Sequence, residues 1–74
     1  MKPTIKEYRI RHIAPEGSAY GINMDTGVEV FINSAIATRM GLELGDLIRA
    51  AVIPNTKSEG VDDYALMAEA LEED

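Results

Sequence analysis

Lys6, Arg9 and Arg11 fall within six residues of one another near the start of the chain, and the only histidine, His12, follows at once. Ammonium and guanidinium groups at this density make a local positive patch that can hold a phosphate backbone at short range. His12 by itself reads either as a structural strand residue or as a member of that patch. The neighbouring carboxylates Asp62 and Asp63 are of the type used for cation binding or acid–base chemistry, but no histidine stands near them. They are therefore expected on a solvated turn. The remaining candidate is Phe31, in "GVEVFINSAI" at 27–36. Val28, Val30 and Ile32 alternate there to form one apolar strand face, and Phe31 falls on the other, between Glu29 and Asn33. It is either surplus core or an aromatic platform left in the open.

Several kinds of chemistry are not expected. The chain has no cysteine, so thiol catalysis, thiolate metal sites and disulfides are out of reach. No nucleophile–base arrangement and no phosphate-cradling glycine loop is present, so neither an enzyme nor a cofactor is expected. No apolar run approaches the ~18 residues that would span a membrane. The first ten residues, "MKPTIKEYRI", carry charge without an apolar stretch and do not read as a signal peptide. A cytoplasmic location is expected, in keeping with the lack of cysteine.

The net charge of −6 is unevenly spread. Residues 1–12 carry +3, whereas 59–74 hold seven acids and no base. An acidic chain is repelled by nucleic acid at long range and attracts basic partners. The acidic end is thus either a solvated terminus or a surface for a basic protein.

The elements that must position these residues follow from period and punctuation. Seventy-four residues make one domain, 1–74, with its core over about 5–70 and an acidic end at 69–74. Residues 5–13 alternate Tyr8, Ile10 and His12 against Arg9, Arg11 and Ile13, which predicts a strand with one wet face. "APEGS" is a loop. A second strand is predicted over 19–24, a "DTG" turn at 25–27 and a third strand over 28–32. "NSAIATRMG" changes to helical period, with Asn33 or Ser34 as N-cap and Gly41 as terminator. A fourth strand is predicted over 46–53, ended by Pro54, and a loop over "NTKSEGVDD". The segment after Asp63 favours helix by local propensity. Val28, Val30, Ile32, Ile36, Leu44, Ile48 and Val52 are the expected core.

Three meandering strands, a helix and further strand-forming sequence give the order of a five-stranded OB-type barrel, an all-β fold with one short helix between strands three and four. Closure then requires 64–69 to be a fifth strand, burying alternate residues from Tyr64, Leu66 and Ala68, against the local propensity. "YGIN" at 20–23, "VFINSAI" at 30–36 and "LELGDLIRAAVIPN" at 42–55 resemble the cold-shock domain, over roughly residues 8–54. That resemblance implies binding of single-stranded nucleic acid, RNA ahead of DNA, by aromatic rings on the outer face of strands one to three. It implies that Phe31 stacks on a base, that Asn33 meets a base edge and that Tyr20 is the first aromatic of the second-strand motif. A one-residue difference in that motif leaves Tyr20 facing either out or in. The family's first-strand tryptophan is absent, and Lys6, Arg9, Arg11 and His12 stand in its strand instead. The other reading is an acidic protein-interaction module of the same fold, which docks on a basic partner or imitates nucleic acid.

Overall fold

The computed structural model describes residues 2–55 and 61–71. Residues 56–60 of the expected loop and the acids at 72–74 lie outside the described residues. Among those described, five strands and one short helix run in the order β1 (Thr4–Ile13), β2 (Ala19–Ile22), β3 (Glu29–Ile32), α1 (Ser34–Met40), β4 (Leu47–Pro54) and β5 (Asp63–Ala70). The strands close as β1-β2-β3-β5-β4, giving a small all-β barrel of the OB type, as expected. The segment with helical propensity is strand β5. Pairing with β4 along Ile48–Pro54 outweighs its local preference. No described helix is long and apolar enough to cross a membrane.

β1 serves two neighbours. Thr4–Arg9 pair with β4, and Arg9–Ile13 pair with β2. The interior is filled by Tyr8, Ile10, Val30, Ile32, Ile48 and Val52, all fully buried. Gly21 admits them. A Cβ at this position would lie 3.1 Å from both the Tyr8 Cβ and a Val30 methyl, so a side chain there would push the large core residues apart. α1 adds Ile36 and Ala37 to the same core. Its ends are set by Asn33, whose Oδ1 accepts the Ile36 N–H at 2.9 Å, and by Gly41 at φ 65°. Gly41 and Leu42 return their N–H groups to Thr38 and Ala37, the paired closure of a left-handed helix end.

Five of the seven expected core residues are buried. Val28 is only half-buried, and Leu44 is 67% exposed on the turn before β4, while Leu42 takes the inward position. Two β-bulges account for the other differences. In β1 the register slips between Ile10 and His12, so Arg11 and His12 both lie exposed and Ile13 packs against the core. In β5 the slip opposite Ala51 and Val52 leaves Leu66 and Met67 both exposed. Asp63 and Ala65 are the buried residues of β5 and Ala68 packs partly against the core, so the expected inward set Tyr64, Leu66 and Ala68 holds only for Ala68.

Asp63 is a second correction. It is not on a solvated turn but 8% exposed at the start of β5, where its Oδ2 accepts the Tyr8 hydroxyl at 2.9 Å and the Lys6 ammonium at 3.3 Å. Asp62 is exposed, yet its Oδ2 accepts the Glu29 N–H. Burial chiefly, and then the Asp63 hydrogen bond and the two aspartate charges, push the Tyr8 hydroxyl far above the ordinary tyrosine pKa.

Tyr8→Phe should lower stability by about 1.5–3 kcal/mol in urea unfolding at neutral pH, the value of a hydrogen bond to a charged group. The folded pKa of Tyr8 is raised above the unfolded one, so its contribution is complete below about pH 10 and declines as pH rises beyond that. The native protein should therefore lose stability above pH 10 more steeply than the Tyr8→Phe variant; equal slopes would contradict this role for Tyr8.

Candidate nucleic-acid interface

The side chains on the outer wall of β1, β2, β3 and the start of β5 follow from strand register. His12 is opposite Tyr20, Tyr20 is opposite Phe31, and Phe31 is opposite Tyr64. Their rings form one continuous row across four strands. Centroids are 5.6 Å apart for His12–Tyr20, 5.3 Å for Tyr20–Phe31 and 5.8 Å for Phe31–Tyr64. Tyr20 meets Phe31 edge-on at 65°, while Phe31 and Tyr64 are nearly parallel at 29°. Each contact is within the range where aromatic pairs attract, about 0.5–1.5 kcal/mol apiece. Tyr20, Phe31 and Tyr64 are half-buried and His12 is exposed, so the row leans on itself and still presents ring surface to solvent.

Polar groups border this row. Arg11 Nη1 lies 3.2 Å from Glu29 Oε1, in an exposed ion pair next to the rings. Arg9 Nη1 donates to the Gly45 carbonyl at 2.9 Å, which fixes its guanidinium over the turn before β4. Either arginine has donors left over for a phosphate, since a guanidinium carries five. Asn33 is already occupied on both sides. Its Oδ1 caps α1 and its Nδ2 donates to the Tyr64 hydroxyl at 3.2 Å, so its first role is to hold the end of the row.

Of the seven residues singled out from sequence, Arg11, His12, Tyr20, Phe31 and Asn33 come together around the row, while Arg9 shares the outer face of β1 but turns its guanidinium to the Gly45 carbonyl. Lys6 does not join them. It lies before the bulge, on the same strand parity as Tyr8, and its ammonium is bound to Asp63. Tyr20 faces outward, because Ala19 and Gly21 take the inward positions of β2. Two neighbours were not among the sequence candidates. Tyr64 joins through the parallel β3–β5 pairing, for which no local sequence signal exists. Glu29 was visible as the residue two before Phe31, on the same face of the strand. Comparison of the chain with protein-family models, curated proteins and solved structures finds no match.

Truncating Phe31 removes two ring contacts from a half-buried site rather than emptying the core. Phe31→Ala should therefore cost about 1–3 kcal/mol in chemical denaturation, from two aromatic pairs at the magnitude above. A loss of about 4–5 kcal/mol, as at the upper end for a buried phenylalanine, would mean that the ring is structural.

Proposed function

We propose that this barrel binds single-stranded nucleic acid on the outer wall of β1, β2, β3 and β5, in the manner of the cold-shock domains its sequence resembles. One observation carries the reading. The chain has only four Phe, Tyr and Trp residues and one histidine, and three of the four aromatics plus that histidine line up on a single outward row. Every base offers a π-face, so a row of partly exposed rings is a sequence-tolerant stacking surface worth roughly 1–3 kcal/mol per base. Arg9 and Arg11 would hold the backbone alongside. The chain's acidity makes this attraction short-ranged, so stacking must supply most of the affinity.

The second reading is the acidic interaction module, and a different wall favours it. Ile5, Ala51 and Met67 face one another across β1, β4 and β5, with Ile5 62% and Met67 69% exposed and Leu66 beside them. Glu7 and Glu69 flank this apolar strip and both pair with Arg49. With a net charge of −6 on each chain, a second copy would be repelled, so the occupant this wall suits is a basic amphipathic segment.

Titration with short single-stranded RNA and DNA at low salt separates the two. The stacking reading expects Phe31→Ala to weaken binding by about 1–3 kcal/mol. It also expects a shallow log–log salt dependence, on the order of −0.7 to −2, because one to three cations among the described residues are within reach of the row, at about −0.7 per contact. If oligonucleotides do not bind, and a synthetic Lys/Leu amphipathic helix binds in a manner abolished by Met67→Lys, the second reading replaces the first.

A further inference from the structure

Glu29 is out of place on a surface for a polyanion. It sits two residues before Phe31 on β3, hence on the same face and about 7 Å along the strand from the ring at the centre of the row. A carboxylate there opposes every phosphate that approaches, and it engages one of the two arginines on the wall. A surface selected only for stacking and phosphate binding gains nothing from it.

Its local geometry suits a different task. The Glu29 N–H is tied to Asp62 and its Oε1 to Arg11, so side chain and backbone are both anchored while carboxylate lone pairs remain to accept further N–H groups. The guanidinium and carboxylate together present donors beside an acceptor. A base stacked on Phe31 would turn one edge toward this pair. Guanine fits it most fully: its N1–H and N2–H₂ are adjacent donors for one carboxylate, and its O6 accepts from the arginine. Uracil offers a single N–H on that edge, and adenine and cytosine a single amino group.

We propose that Glu29, held by Arg11, makes the stacking row selective for guanine over the other bases. This rests on the nucleic-acid reading of the same wall. The unfavourable charge then has a purpose, since a carboxylate left without N–H donors penalises the wrong base as well as rewarding the right one.

The test uses uridine heptanucleotides whose central base is G, C, A or U, with native protein and Glu29→Gln, whose amide spectrum should otherwise overlay the native one. Native protein should bind the G-centred strand at least about fivefold more tightly than the all-U strand, the low end of discrimination by one bidentate pair. Glu29→Gln should collapse that ratio toward one while binding all-U as well as native or better, because the repulsion is gone. A native ratio near one, or a ratio unchanged by the substitution, overturns the role of Glu29. If such a result accompanies binding that still depends on Phe31, the stacking reading stands without it. If no strand binds native protein, the stacking reading fails and the selectivity fails with it.

Discussion

The barrel closes on two residue pairs, Val30 with Asp63 and Phe31 with Tyr64, and the Asp63 carboxylate anchors the start of β5 there by binding Tyr8 and Lys6 of β1. Among the described residues this is the one parallel contact in an otherwise antiparallel sheet and the shortest in register. Three successive residues reinforce it, each with a side-chain bond to a different place: Asp62 to the Glu29 N–H, Asp63 to Tyr8 and Lys6, Tyr64 to Asn33. A buried carboxylate left without partners would be costly, so Tyr8 and Lys6 are required wherever Asp63 is enclosed. The largest core side chain therefore has a polar as well as an apolar task. Its ring fills the barrel and its hydroxyl ties the start of β5 to β1.

The outer wall depends on that junction. Were β5 shifted by one residue along β3, Tyr64 would move to the other face, and Phe31 would lose its stacked neighbour. The same logic governs the other end of the row, where the β1 bulge turns His12 outward beside Tyr20. A closed barrel has no free sheet edges, so bulges are its means of re-aiming side chains without opening the ladder. Here one bulge extends the aromatic row, and the other leaves Leu66 and Met67 exposed on the opposite wall. The fold thus separates two surfaces of different chemistry, one aromatic and one aliphatic.

Much of this architecture was legible in the order of residues. Period-two runs ending at Gly and Pro marked the first four strands, Asn33 and Gly41 bracketed the helix, and the need for closure identified β5 against its own propensity. The phase within strands was less legible where a bulge intervenes, because an extra residue carries no signature of its own type. That is why His12 falls in phase with Tyr8 and Ile10 and Leu66 reads as core, although both are exposed. Long-range polar pairing was also hidden. Asp62 and Asp63 look like loop carboxylates until Tyr8 and Lys6, more than fifty positions earlier, are brought to one of them. Within the candidate site, Phe31 was legible from alternation alone, whereas Tyr64 depended on a strand pairing that only the closed barrel defines.

The central claim is that unpaired bases lie on the rings of His12, Tyr20, Phe31 and Tyr64. Intermolecular nuclear Overhauser effects between an isotope-labelled protein and an unlabelled single-stranded oligonucleotide test it most directly, since they report which protons touch. The account predicts contacts from base protons to the Phe31, Tyr20 and Tyr64 rings, with those base protons shifted upfield by the ring currents. Contacts confined to Ile5, Ala51 and Met67, or a complex in which no base proton approaches a ring, would contradict it.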